Sequence, residues 1–169
     1  QGSCLVTTHA YDALDNRVKT VDPLGQETTY HYNHRNECVA VDHPVAYDHH
    51  GTPIKRQEAK RYDVTGNVTW HQDPRGDVVT RRYNARNQPV RVDYPDGTFE
   101  QMHYTPGGLL IKWRRRDGTT IKDSHDALGQ VIRRETLGSD EALAAVEQKR
   151  YRGFNLVEEV DAEGNATHY

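Results

Sequence analysis

Tyr62-Asp63-Val64-Thr65-Gly66-Asn67-Val68-Thr69-Trp70-His71-Gln72-Asp73-Pro74-Arg75-Gly76-Asp77-Val78-Val79-Thr80-Arg81-Arg82, followed at once by Tyr83, decides how this chain folds. Asp63 follows the opening tyrosine, where its carboxylate can cap the amides of a tight turn. Gly66 ends that turn and tolerates a left-handed backbone. A short run follows, and then Asp73-Pro74-Arg75-Gly76, which places Asp, Pro and Gly where a type I turn prefers them. The second run is rich in Val, Thr and Tyr, the residues that suit strands. Seven residues past Gly76 stands the next tyrosine. The unit therefore reads as strand, turn, strand, turn.

The same reading extends along the chain in phase. Units open at Tyr11, Tyr32, Tyr62, Tyr83, Tyr104, His125 and Tyr151, with spacings of 21, 30, 21, 21, 21 and 26 residues. The two odd spacings are one repeat plus 9 and 5 inserted residues. Four residues after the openers stand Asp15, Asn36, Gly66, Asn87, Gly108, Gly129 and Asn155, all residues that tolerate the left-handed region. Val39 and Val41, Val90 and Val92, and Ile111 and Trp113 alternate as in a strand with one buried face. The second turn recurs as Asp22-Pro23-Leu24-Gly25, Tyr94-Pro95-Asp96-Gly97, Asp117-Gly118 and Asp161-Ala162-Glu163-Gly164. One hairpin cannot bury its face alone, but stacked neighbours can. The expectation is an all-β array of tandem hairpins forming a curved antiparallel spiral sheet, about seven repeats in a single array over residues 1–169.

Composition agrees with a thin sheet. Only 34% of the 169 residues are hydrophobic and the mean hydropathy is strongly negative, yet ten tyrosines and two tryptophans argue against disorder. A net charge of −3 gives no global field for nucleic acid. Arg114-Arg115-Arg116 reads as a solvated strand face. No segment is apolar for long enough to span a bilayer. Cys4 and Cys38 read as idle thiols rather than a disulfide.

Tyr11-Asp12-Ala13-Leu14 with Asp22-Pro23-Leu24-Gly25, and Tyr62 to Gly66 with Asp73-Pro74-Arg75-Gly76, resemble the tyrosine–aspartate (YD) repeats of bacterial Rhs proteins; His125-Asp126-Ala127-Leu128-Gly129 is similar, with the tyrosine replaced. The resemblance covers nearly the whole chain. It makes Tyr11, Tyr32, Tyr62, Tyr83, Tyr104 and Tyr151, the elements Asp22, Pro23, Gly25 and Asp73, Pro74, Gly76, and the glycines Gly66, Gly97, Gly118 and Gly129 repeat-defining structural residues. It implies a spiral sheet that closes into a hollow shell. In polymorphic toxins and insecticidal toxin complexes that shell encloses a C-terminal toxin domain; in animal teneurins a related shell mediates adhesion. The chain is then a fragment of a shell wall, secreted or at the cell surface of a bacterium by a type VI or toxin-complex route. Its partners are neighbouring YD repeats and an enclosed toxin domain, and it is not an enzyme. The alternative is a cell-surface module that binds carbohydrate or a receptor, with Trp70, Trp113 and Tyr94 exposed on one sheet face to stack on sugars.

Catalytic chemistry finds little foothold. Some Rhs proteins cut themselves with two Asp-Pro-x-Gly elements about one repeat apart, but Asp22 and Asp73 are 51 residues apart and already explained as turn residues. His31, His34, His43, His49 and His50 lie in and around the first insertion without metal-ligand spacing. They read as solvated loop histidines, so catalytic residue, cofactor and metal are each expected to be none. The first insertion, about 42–58, reads as a long loop. The second, about 138–148, reads as a short helix over 139–148, with Ser139 as N-cap and Ala142 to Val146 behind it. Gly2 and Tyr169 both fall inside a unit, which implies either that the array continues in both directions or that the chain is cut from a longer one.

Overall fold

The computed structural model describes residues 6–169; Gly2 and Cys4 lie outside them. Strand follows strand with no helix among the described residues. The chain divides into two compact units between Arg81 and Arg82.

The first unit holds β1 (Thr8–Tyr11), β2 (Arg17–Val21), β3 (Glu27–Tyr32), β4 (Cys38–Asp42), β5 (Ala46–Tyr47), β6 (Pro53–Ile54), β7 (Gln57–Tyr62), β8 (Val68–Gln72) and the start of β9 (Val78–Tyr83). Each pairs antiparallel with the next, save that β4 pairs with β7 and β5–β6 form a separate two-stranded ladder. The second unit holds β10 (Pro89–Asp93), β11 (Phe99–Tyr104), β12 (Leu110–Arg114), β13 (Thr120–His125), β14 (Val131–Leu137), β15 (Leu143–Arg152), β16 (Asn155–Val160) and β17 (Ala166–His168), each from β11 on antiparallel to the strand before it. The expected all-β array of tandem hairpins is what the chain forms.

One turn geometry makes nearly every connection. In thirteen turns among the described residues, the first residue's N–H donates to the fifth residue's carbonyl, as Asp12 to Asn16 at 2.9 Å, while the fourth residue's N–H returns to the first carbonyl, as Asp15 to Asp12 at 3.2 Å. That is a type I turn closed by a left-handed residue, a frequent three-residue hairpin loop. Both turns of the repeats that open at Tyr11, Tyr62, Tyr83, Tyr104 and His125 use it. Asp63 shows why the sequence folds so: its Oδ1 accepts from the amides of Thr65 and Asn67, both at 2.9 Å, which fixes the turn with bonds inside it. Where the first position is Tyr94, Arg115 or Gly138, an aspartate at the third position caps instead. Asp96, Asp117 and Asp140 take the amides of Thr98, Thr119 and Ala142 at 3.0, 2.9 and 3.1 Å.

Three expectations need correction. Residues 139–148 are not helical: Gly138 to Glu141 is another of the thirteen turns, and Leu143–Arg152 is β15. Alanine-rich helix propensity is worth only tenths of a kcal/mol per residue. Ladder bonds to both β14 and β16 outweigh it. The first insertion is not an open loop but the β5–β6 hairpin, tipped by Asp48-His49-His50-Gly51. Finally, Asn155 is not left-handed. With Arg152 in place of an Asx cap, β15 and β16 join through the two-residue loop Gly153-Phe154, and Gly153 takes the positive φ of 61°. A two-residue loop wants glycine at its first central position.

The interior is thin. Val41 is the buried apolar residue of the first unit, and Val92, Met102 and Ile121 are those of the second; no described side chain is fully buried. Each strand is half-covered by its neighbours and half-wet, so the backbone ladder and the turns carry much of the order.

Candidate functional site

The recurring feature is the opening tyrosine, and the structure shows why it is a tyrosine. At each opener whose pairing is resolved, the register slips: between Ala10 and Tyr11, His31 and Tyr32, Arg61 and Tyr62, His103 and Tyr104, Ser124 and His125, and Arg150 and Tyr151. The slip is a β-bulge. It puts an extra residue into the short strand, twists the sheet and interrupts the ladder. The carbonyls of Arg17 and Cys38 stand at two of these bulges. The hydroxyl of the next opener meets each of them: Tyr32 donates to the Arg17 carbonyl at 3.1 Å and Tyr62 to that of Cys38 at 2.7 Å. In the second unit Tyr104 donates to the Pro89 carbonyl at 2.9 Å. Tyr32, Tyr62 and Tyr104 thus each tie their own repeat to a backbone carbonyl of the repeat before it. Burial raises the phenol pKa of Tyr32, Tyr62 and Tyr104. Tyr11, by contrast, is 58% exposed.

The turns also stitch to one another. Arg35 donates to the carbonyls of Val64 and Asp63 at 3.0 and 2.6 Å, and Asn16 Nδ2 to Asn36 Oδ1 at 3.3 Å. In the second unit Gln88 Nε2 donates to the Gly108 carbonyl at 2.8 Å, and Arg116 joins Asp96 at 2.5 Å and Thr98 Oγ1 at 2.9 Å. These seams tie each repeat to the next one only, as a one-dimensional array requires.

The sequence singled out other residues, and the structure separates them. Asp22 and Asp73 each cap their own turn, accepting from Leu24 and Gln26 and from Arg75 and Asp77. The glycines Gly25, Gly66, Gly76, Gly97, Gly118 and Gly129 all sit at positive φ. Pro23 and Pro74 stand second in their turns, where no amide is needed. Tyr83 closes β9 and Tyr151 stands near the end of β15. Among the histidines, His31 pairs with Asp42 at 2.7 Å, and the His49 and His50 rings lie 3.8 Å apart. No three His, Cys, Asp or Glu side chains converge among the described residues. Cys38 Sγ lies 3.6 Å from the Ala40 carbonyl. No helix there is long and apolar enough to cross a membrane.

Trp70 stands eight residues after its opener and Trp113 nine after, so they occupy opposite pleat positions within their own strands. Each ring carries a guanidinium, Arg61 at 4.7 Å from Trp70 and Arg115 at 4.9 Å from Trp113. Tyr94 lies beneath Arg116 at 4.4 Å, and its hydroxyl and the Trp113 indole both donate to Glu100 at 3.2 and 3.4 Å. The bulges, the phenol-to-carbonyl bonds and the seams between turns were not legible in the sequence. The 15-residue step from Pro89 to Tyr104, once the pairing register is known, is their only trace.

These parts define a β-hairpin repeat protein whose recurrent residues join each repeat to the next. The RHS Repeat family model matches residues 11–45 and 62–98. Over those residues the chain carries Rhs/YD repeats. It is 28% identical over 71 residues to a double-stranded DNA deaminase toxin A of Burkholderia cenocepacia, a match covering 42% of this chain and 5% of that protein. Its fold is that of the TcdB2-TccC3-TEV crystal structure (TM-score 0.52, 11% identity) and of a Photorhabdus luminescens Tc holotoxin pore (TM-score 0.52, 12% identity). Those two likenesses cover 92% of this chain and 11% of each of the larger ones. The chain therefore spans a small part of the length of each of these relatives.

Proposed function

We propose that this chain is a stretch of wall in an Rhs shell that encloses a C-terminal toxin domain until delivery to a competing or host cell. The observation that carries the reading is the phenol-to-bulge bond repeated from unit to unit. It is a device for extending a bulged, twisted sheet indefinitely, and such a sheet encloses volume without a core of its own. The Rhs repeats at residues 11–45 and 62–98 and the fold shared with Tc-toxin chains support it. On this reading the stretch performs no catalysis, holds no cofactor, and works outside the cell that makes it; its partners are adjacent YD repeats and the cargo.

The test uses the longer protein in which these repeats occur. Its segment beyond the repeats should resist protease while the repeats are native, and become cleavable when Tyr62→Phe and Tyr104→Phe are combined. A following segment that is digested as fast beside the intact repeats as without them would overturn the proposal.

A further inference from the structure

One face of the second unit carries a charge pattern that the wall role does not need. Residues opposite one another in the ladder share a face, which places Arg91, Gln101, Arg114 and Thr120 together. Lys112, Lys122 and Glu135 form a second row on that face, and Arg133 lies two residues before Glu135. Phe99 sits among them with the Arg91 guanidinium 4.1 Å and the Arg114 guanidinium 4.3 Å from its ring centre, one from the strand on either side. The face holds five cations on β10 to β14, Arg91, Lys112, Arg114, Lys122 and Arg133, against two carboxylates. Both carboxylates are engaged: Asp93 by Arg91 at 2.6 Å and Glu135 by Arg133 at 2.8 Å. Among the described residues Lys112, Arg114 and Lys122 have no carboxylate within ion-pair distance. Lys112 and Lys122 face each other directly across the ladder, a like-charge arrangement that destabilises a sheet.

We propose that this face binds an acidic, extended polypeptide segment. Lys112 and Arg114 are two apart on one strand, so their charges repeat at the spacing of alternate side chains on an extended chain, about 7 Å. A segment with a carboxylate at every second residue matches that repeat and relieves the Lys112–Lys122 repulsion. Single-stranded nucleic acid is the poorer fit, because bases need an open aromatic platform and the Phe99 ring is flanked by two guanidiniums. This inference does not rest on the enclosure of a toxin.

The experiment measures binding of a labelled peptide of alternating glutamate and serine to the full chain at low salt. Its glutamine counterpart and a single-stranded oligonucleotide of equal charge are run beside it. The glutamate peptide should bind, weaken as salt rises, and lose roughly tenfold in affinity in the Lys112→Gln/Lys122→Gln protein. Lys19→Gln in the first unit should leave binding unchanged. Without peptide, the double variant should melt no lower than the parent, since it removes a repulsion. That separates lost binding from lost folding. Equal binding of the glutamine peptide, preference for the oligonucleotide, or full binding by the double variant would each overturn the proposal.

Discussion

The two units share one backbone and differ in what they hang on it. In the first unit, the residues at the pleat positions of Lys19 and Thr29 carry Lys19 and Arg61 against Glu27 and Asp42, and Lys19 meets Glu27 at 2.5 Å. In the second, the corresponding face carries five cations against two carboxylates. Yet the turns, the bulges and the opener hydrogen bonds are the same in both. The lesson is that this repeat separates fold from surface. The positions that define the hairpin are few and face backbone groups. The rest of each strand is half-wet and free to vary, so neighbouring stretches of one sheet can present different chemistry.

If the backbone devices are shared, equivalent changes must cost the same in both units. Gly66→Val in the first and Gly108→Val in the second force a β-branched residue to a φ of 89° or 94°, and each should cost about 2 kcal/mol. Each unit has its own reporter, Trp70 in one and Trp113 in the other, so urea unfolding followed by fluorescence in single-tryptophan versions reads them separately. A cost confined to one unit would break the comparison.

A finer version removes one oxygen. Tyr62→Phe and Tyr104→Phe leave the Cys38 and Pro89 carbonyls without their donors, and each should lose about 1–1.5 kcal/mol. Tyr11→Phe, at an exposed ring, should change stability by less than about 0.5 kcal/mol. The same unfolding measurement decides it. Equal losses at Tyr11 and Tyr62 would mean that the hydroxyl matters only for solvation and the bond to the bulge does not.

Much of the fold was legible because it is written locally. Asp63, Gly66, Asp73 and Gly76 each act on amides within five residues of themselves, so spacing alone reveals the turns and their strands. What was not legible acts at a distance. The bulge at Tyr62 exists only in the pairing of β7 with β8, and its partner carbonyl lies 24 residues back because an inserted hairpin intervenes. The segment from Ser139 to Gln148 misled for the same reason. Its alanines favour a helix, but Glu135 opposite Val146 and Arg133 opposite Gln148 hold it in the ladder. The cationic face was hidden too. Arg91, Lys112 and Lys122 come from three strands, and only the register shows that they share a side.

Glu141 tests how strictly the turn geometry is imposed. It holds a φ of 64° with neither glycine's freedom nor an Asx side chain to compensate, the one such residue among the thirteen turns. Forcing an ordinary residue there costs about 1 kcal/mol or more, partly offset by the greater unfolded-chain entropy of glycine. Glu141→Gly should therefore raise the stability of the second unit by about 0.5–1 kcal/mol, read from Trp113, and leave Trp70 unmoved. Destabilisation would show that the turn at Gly138 gains something from the glutamate side chain that the backbone argument omits.

The smallest effect is also the sharpest contrast between the units. Asp63 and Asn84 occupy the same place in their repeats and cap the same two amides, Asp63 at 2.9 and 2.9 Å and Asn84 at 2.9 and 3.1 Å. Only one of them titrates. The Asn67 side chain, then Thr65, donate to Asp63 and hold its carboxyl well below the usual carboxylate range. Thr98 and Arg116 likewise hold Asp96 at about 2. A group whose pKa is depressed by folding contributes stability above its unfolded value, near 4, and loses it as the pH falls toward the folded one. Each carboxylate is exposed, so solvent screens the effect and each contribution is modest. Asp63→Asn should thus be nearly neutral at pH 7 while reducing the drop in the Trp70 unfolding midpoint between pH 5 and pH 2. Asn84→Asp should do the reverse for Trp113, adding acid sensitivity where the cap had none. An acid limb that stays the same in both variants would place the protons of acid unfolding elsewhere, and the contrast between the two caps would then be one of sequence without energetic content.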